Sequence, residues 1–188
     1  MLDSDAGGAA WAMGSDSLAA AVLAEVRVVP DFPQAGVLFQ DLNPIYRRPT
    51  LFAAVADAVA TAYAGGFDCV AAIEARGFLL GTAIAQLAGV PLVPVRKAGK
   101  LPGPVALRGY GLEYATDVLE LQQGVLAGED RVLIIDDVLA TGGTLEAAAG
   151  LIEGAGARVA GLGVMLELRA LGGRQRLASW PLFALAGR

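Results

Sequence analysis

From residue 50 onward the chain alternates two kinds of apolar pattern. Residues 51–64 are Ala-rich with apolar side chains at helical spacing, and Gly65-Gly66 stop the run, which predicts an α-helix. Residues 67–73 form a short apolar run with few charges, the pattern of a strand buried on both faces of a parallel sheet. The alternation then continues. A helix is predicted at 77–88, closed by Gly89, and a strand at 90–95, entered through Pro91. Residues 131–135 (RVLII) predict another strand, 143–153 a helix ending at Gly154 and Gly156, and 158–166 a further strand. Strands alternating with helices imply a mainly parallel, twisted sheet with helices on both faces, an α/β fold.

Three segments depart from this rhythm. Residues 98–123 hold Gly, Pro and Lys early, then alternating stretches around Gly109-Tyr110-Gly111, and predict a hairpin or mobile flap. Residues 174–186 predict an edge strand bearing Pro181. Residues 1–20 are rich in Gly, Ala, Ser and Asp and read as a loose leader, with a short helix after Ser17. No repeat or Pro/Ser-rich linker divides the remainder, so residues 21–188 read as one domain.

Composition narrows the chemistry. Apolar residues make up 55% and aromatics only 6%, so Ala, Val and Leu line the core, as in layered α/β packing. A net charge of −5 argues against a general nucleic-acid binder, which needs a basic face, but leaves room for a local basic pocket. The single cysteine, Cys69, excludes an internal disulfide, lies in an apolar run and suits a reducing cytoplasm. With no histidine, His-based triads and His-ligated metals are excluded. No apolar run reaches the ~18–20 residues of a membrane span, and the first residues lack the basic start of a signal peptide.

The most informative segment is Val132-Leu133-Ile134-Ile135-Asp136-Asp137-Val138-Leu139-Ala140-Thr141-Gly142-Gly143-Thr144. It reads as a buried strand, two acids, then a Gly/Thr loop opening a helix. Ligands of open α/β sheets bind outside the carboxyl ends of strands. Backbone N–H groups of the loop and the helix N-terminus form an anion site, with Ala140, Thr141, Gly142, Gly143 and Thr144 as its candidates. Asp136 and Asp137 suit the donor hydroxyls of a sugar attached to that anion, and neighbouring strand residues face opposite ways, so only one is placed to touch it directly. An apolar strand ending in Asp-Asp also occurs in P-loop nucleotide hydrolases. Their G-x-x-x-x-G-K-[ST] loop is absent here, as is a G-x-G-x-x-G dinucleotide fingerprint. A plain strand–turn–helix junction is the remaining alternative.

This segment resembles the phosphoribosyl pyrophosphate signature of type I phosphoribosyltransferases, and other stretches narrow the likeness to the adenine phosphoribosyltransferase family. Asp31-Phe32-Pro33 through Gly36-Val37-Leu38-Phe39 is similar to its N-terminal base-binding stretch. Ile73-Glu74-Ala75-Arg76-Gly77-Phe78 is similar to its pyrophosphate loop. Val95-Arg96-Lys97-Ala98-Gly99-Lys100-Leu101-Pro102-Gly103 and Leu112-Glu113-Tyr114 resemble its flexible flap, and Leu171-Gly172-Gly173 falls where the family has it. The likeness spans roughly residues 22–185. Two positions depart from it: Gln40 where the family commonly has Arg, and Ala115 where Gly is usual.

The resemblance implies a type I fold with a small N-terminal hood and a flap, a non-proline cis peptide in the pyrophosphate loop, and Mg²⁺ bound mainly through phosphoribosyl pyrophosphate. It also implies a homodimer acting in purine salvage in the cytoplasm. Arg76, Arg96, Lys97 and Lys100 become pyrophosphate candidates. Read alone, Arg76 is equally a solvated helix start, and the three cations at 96–100 a solvated loop. Glu113 in the flap is placed to pair with a purine nitrogen or pass a proton, and with Arg76 and Lys100 it forms the catalytic set. Leu38, Phe39 and Leu168 are base-pocket candidates that also suit an ordinary core. Adenine is favoured because Ala140 stands where hypoxanthine/guanine transferases carry a second acid, and because uracil transferases resemble Asp-Pro at the Asp136-Asp137 position. The alternatives are a transferase for hypoxanthine, xanthine or uracil, or a non-catalytic regulator that senses phosphoribosyl pyrophosphate.

Overall fold

The computed structural model describes residues 14–112 and 115–188. Seven strands form one twisted sheet in the order β5-β6-β4-β3-β7-β8-β9. They span Val105–Leu112 (β5), Ala115–Gln122 (β6), Leu92–Lys97 (β4), Cys69–Ile73 (β3), Arg131–Leu139 (β7), Arg158–Glu167 (β8) and Leu182–Gly187 (β9). The five from β4 to β9 are parallel, and β5 and β6 add an antiparallel hairpin at one edge. A separate antiparallel pair, β1 (Arg27–Pro30) and β2 (Leu38–Asp41), forms the small hood.

Alternation along the central strands builds two cores. Leu133 and Ile135 of β7 face the layer made by α1 (Ser15–Glu25), α3 (Pro49–Ala62) and α4 (Gly77–Ala88). Val132 and Ile134 face α5 (Gly143–Gly154) on the opposite side. Cys69 is buried among the second set, and burial pushes its thiol up to about 11, as befits an inert core cysteine.

Several boundaries differ from the pattern reading. Helix α1 begins at Ser15, ahead of Ser17, because Leu18 and Val22 pack into the core. Strand β7 runs four residues beyond Ile135, pairing Asp136 with Val164 and Val138 with Leu166, so the two acids belong to the strand and do not follow it. The 98–123 segment is a hairpin, as the alternation predicts, and its second strand pairs with β4 and extends the main sheet. Pro181 sits just outside β9, where its carbonyl accepts the Leu162 N–H.

The connections position a site. Strand β3 leads through α4 to β4 on one side, while β7 leads through α5 to β8 on the other, with the two helices on opposite faces. The strand order therefore reverses between β3 and β7, and a crevice opens beyond their carboxyl ends.

Candidate active site

The phosphate turn lies at the end of β7. Gly142 caps α5 in a left-handed conformation (φ 83°) with no side-chain cap, so first-turn N–H groups face the crevice without internal partners. Asp136, Val138, Leu139, Ala140, Thr141, Gly142, Thr144 and Leu145 line one cleft. The turn is braced from behind by α6 (Gly173–Arg176). A Cβ on Gly142 would stand 2.9 Å from the Gly173 carbonyl oxygen, and a Cβ on Gly173 would overlap the Ala140 carbonyl. This explains the Leu171-Gly172-Gly173 signature: its second glycine lets the turn seat. It also shows that a side chain at 142 meets the α6 backbone first.

The acids divide the crevice between them. Asp136 faces the phosphate cleft, and the Asp137 N–H donates to its Oδ1 at 2.8 Å. Asp137 turns to Arg76, whose Nε lies 2.6 Å from its Oδ2. That contact is an ion pair without hydrogen-bond alignment, because Asp137 Oδ2 and the Tyr46 hydroxyl are buried oxygens with no hydrogen-bond partner among the described residues. Desolvation, then the charge of Asp137, raises the Asp136 carboxyl well above its ordinary range, although part of its surface opens to the cleft. Burial also raises Asp137, and Arg76 opposes the shift. Burial raises the Tyr46 phenol, with the charge of Asp137 adding to it.

The loop predicted to hold pyrophosphate joins β3 to α4 and contains a cis peptide at Glu74–Ala75. Gly77 lets α4 approach β7 closely: a Cβ there would lie 2.9 Å from the Ile135 carbonyl oxygen and 3.0 Å from Asp136 Oδ1. The N-terminus of α4 thus abuts Asp136. Arg76, which precedes α4, reaches toward the hood. Its Nη1 donates to the Gln40 carbonyl at 3.0 Å, and its Cζ lies 4.9 Å from the centroid of the Phe39 ring.

The other cations are deployed differently. Arg96 does not face the crevice as a free charge. Its Nε and Nη2 donate to Glu74 at 3.2 and 2.9 Å, and its Nη1 donates to the Lys100 carbonyl at 3.0 Å. A fork so engaged braces two loops and leaves two of its five N–H groups uncommitted. Lys97 pairs with Asp117 of the hairpin at 3.2 Å. The loop carrying the exposed Lys100 is pinned by Glu120, a buried carboxylate that pattern reading missed. Glu120 accepts the N–H groups of Gly99 (2.9 Å), Lys100 (2.6 Å) and Leu101. Burial works against its charge, yet these donors hold it below the ordinary carboxylate range. Glu74 is likewise held low, chiefly by Arg96. The signal for Glu120 was its place in an otherwise alternating strand, paired in register with Arg96.

At the hood, Phe39 meets Phe32 edge-on at 5.0 Å, and Leu38 is 62% exposed beside it. Leu38 and Phe39 are brought together with Arg76. Leu168 follows β8 directly, its N–H donates to the Leu139 carbonyl at 2.8 Å, and its side chain rests against the core on the α3 side. Gln40 is buried: its Nε2 donates to the Leu38 carbonyl at 2.8 Å, and its Oε1 accepts from Arg188 Nη1 at 2.9 Å. Another residue missed in the sequence is Tyr110 of β5, whose ring packs by Gly143 and whose hydroxyl donates to Asp117 at 3.3 Å. Glu113, with Tyr114, lies outside the described residues.

Among the described residues no three His, Cys, Asp or Glu side chains gather into a metal cage. Asp136, whose carboxylate opens to the cleft, fits a Mg²⁺ that keeps water and substrate oxygens as most of its ligands, while Asp137 Oδ2 is taken up by Arg76.

A switch-point crevice with a glycine phosphate turn, paired strand acids and a second loop at a helix start defines a type I phosphoribosyltransferase. The Phosphoribosyl transferase domain family matches residues 42–177. An adenine phosphoribosyltransferase of Kineococcus radiotolerans is 52% identical over 172 residues, covering 91% of this chain and 93% of that protein. Among solved structures, the adenine phosphoribosyltransferase of Thermoanaerobacter pseudethanolicus superposes with a TM-score of 0.86 at 40% identity, covering 90% of this chain and 99% of the other. The enzyme of Giardia lamblia, solved with 9-deazaadenine, gives 0.85 at 38% identity, covering 94% and 98%. The chain belongs to the adenine phosphoribosyltransferase family.

Proposed function

We infer that the protein transfers the phosphoribosyl group of 5-phosphoribosyl 1-pyrophosphate to adenine, giving AMP and pyrophosphate in purine salvage. The observation that carries this reading is the β7 strand end, where Asp136 and Asp137 lead straight into the Gly142-Gly143 turn of a chain 52% identical to an adenine phosphoribosyltransferase. The Giardia enzyme was solved with an adenine analogue, and that of Saccharomyces cerevisiae with adenine and an imino-altritol bisphosphate, which supports the choice of base.

In the reaction the C1′–O bond to pyrophosphate breaks, a C1′–N9 bond forms, and the proton of N9 is lost. Positive charge develops on the sugar and negative charge on the leaving group, so the protein must hold both in place and exclude water. The N–H groups of residues 140–144 hold the 5′-phosphate at the start of α5. Asp136 accepts a ribose hydroxyl from the cleft side. Asp137 keeps Arg76 in place through the contact at its buried Oδ2. Asp136 would hold Mg²⁺ through its waters, and the ion would supply positive charge against the leaving pyrophosphate. The loop before α4 and Lys100 complete the pyrophosphate site, with Arg96 and Lys97 shaping it through Glu74 and Asp117. The adenine ring lies against Phe39 and Leu38, with Leu168 as a further base-pocket residue, and proton handling is assigned to Glu113.

The reading extends to a cytoplasmic homodimer. The inert Cys69 thiol suits a reducing compartment, and the exposed Leu79 and Leu87 of α4 offer an apolar face for a second copy. Incubation of the purified protein with adenine, phosphoribosyl pyrophosphate and Mg²⁺ tests the activity. AMP and pyrophosphate should form in equal amounts, and a folded protein forming neither would refute it.

A further inference from the structure

Gln40 interrupts the likeness to the family, and its surroundings give the substitution a consequence. Its carboxamide is buried and engaged at both ends. The Nε2 group donates to the Leu38 carbonyl at 2.8 Å, and Oε1 accepts from Arg188 Nη1 at 2.9 Å. A guanidinium has donors only, so Arg188 selects the carboxamide orientation in which oxygen faces it. That choice turns the NH₂ toward Leu38. In the reverse orientation two acceptors would face each other at Leu38 and two donors at Arg188. Arg188 is itself fixed by the sheet: its N–H donates to the Glu167 carbonyl at 3.0 Å, and its carbonyl accepts the Arg169 N–H at 2.9 Å. The Gln40 carbonyl meanwhile accepts from Arg76 Nη1 at 3.0 Å, and the Arg76 guanidinium rests on Phe39.

We propose that Arg188 is a positioning residue for the base-binding strand. Through Gln40 it fixes the Leu38–Gln40 backbone and the Phe39 ring against Arg76, and it thereby governs affinity for the base. This rests on the transferase reading above and adds to it a residue 148 positions from its partner in the chain. Among the described residues the Arg188 side chain makes no direct hydrogen bond to the glycine turn or to the Lys100 loop, so its larger effect belongs to the base, with a smaller one on phosphoribosyl pyrophosphate passed on through Arg76.

The test is steady-state kinetics of Arg188→Ala, Arg188→Lys and Gln40→Met, each with adenine and phosphoribosyl pyrophosphate varied in turn. Arg188→Ala should raise KM for adenine about tenfold, the scale of one lost hydrogen bond to a charged group. KM for phosphoribosyl pyrophosphate and kcat at saturation should stay within about twofold. Arg188→Lys, which keeps a donor, should recover most of the loss. Gln40→Met, which loses the Leu38 bond as well, should raise KM for adenine at least as much as Arg188→Ala, and the double variant should be no worse than Gln40→Met, because the Arg188 link is already gone in it. An unchanged adenine KM in Arg188→Ala overturns the proposal. So does an equal loss toward both substrates, or full additivity in the double variant. If the parent protein itself fails to convert adenine, the transferase reading falls; if only the Arg188 variants disappoint, the positioning role falls alone.

Discussion

Replacing Asp136 by Asn separates what the acidic pair does for catalysis from what it costs the fold. Two carboxylates on successive residues of a closely packed strand repel each other, and desolvation and the charge of Asp137 already raise the Asp136 carboxyl well above its ordinary range. A folded value above the unfolded one has a definite sign. The group favours the fold fully below the unfolded value, and that contribution is lost as pH rises through the folded value. At neutral pH a charged Asp136 therefore destabilises the protein. Asn keeps the shape and an oxygen to accept the Asp137 N–H, now donating to Asp136 Oδ1 at 2.8 Å, and removes the charge. Relief of about 1 kcal/mol would raise Tm by roughly 2–4 °C in a chain of this size. The same change weakens a charge-assisted bond to a ribose hydroxyl, a loss of ~1–3 kcal/mol in transition-state binding, or about 5–150-fold in kcat/KM. Thermal unfolding across pH and steady-state kinetics on the two proteins check both signs. The variant should be the more stable at pH 7–8, and its advantage should vanish as pH falls below the ordinary value of 3.8, where Asp136 becomes neutral in both states. Full activity in the variant, or lower stability at neutral pH, refutes the reasoning.

Other perturbations follow from the same geometry. Gly173→Ala drives a methyl group into the Ala140 carbonyl and should displace the phosphate turn at a cost of ~1–3 kcal/mol, raising KM for phosphoribosyl pyrophosphate more than KM for adenine; equal changes in the two would contradict this. Glu120 is depressed below the ordinary carboxylate value near 4.5, so the order it imparts is present above that pH and lost as pH falls through the folded value. Hydrogen exchange should show the Gly99, Lys100 and Leu101 amides losing protection together on acidification, before the β7 amides, and simultaneous loss would count against a local pin. Lys100→Ala should lower kcat/KM about tenfold or more while leaving Tm within a degree or two, because its side chain is exposed; a fall in Tm without a kinetic effect would place the lysine in the fold and not in the site.

Much of the layout was legible because the sheet is buried on both faces. The apolar runs at β3 and β7 have no polar alternation to confuse their reading, and Gly89 stops α4 at the residue the pattern marks. The turn into α5 was legible because few residues other than glycine adopt the φ of 83° found at position 142. The length of β7 was hidden, since two acids in succession look like a strand end. Here β8 pairs with them, while Arg76 and the open crevice take their charges. The roles within the Arg96-Lys97-Lys100 run were also hidden. Their spacing gives cations but not partners, and the partners Glu74, Asp117 and Glu120 lie about 20 residues away on other strands and loops. Tyr110 and the Gln40–Arg188 link share that property: each depends on register across the sheet or hood, which no local pattern records.

The central claim is the choice of base, and competition among bases tests it most directly. Adenine offers an amine donor at C6 and an acceptor at N1, while a 6-oxopurine reverses both. A pocket built for one pattern leaves buried groups unpaired with the other, which can give ~10⁴-fold discrimination. Ala140 offers no acid for the 6-oxopurine ring. The measurement is kcat/KM for adenine, hypoxanthine, guanine and uracil with phosphoribosyl pyrophosphate and Mg²⁺ saturating. Adenine should exceed each of the others by at least ~100-fold, a conservative part of that range. Comparable values for adenine and hypoxanthine would contradict the account.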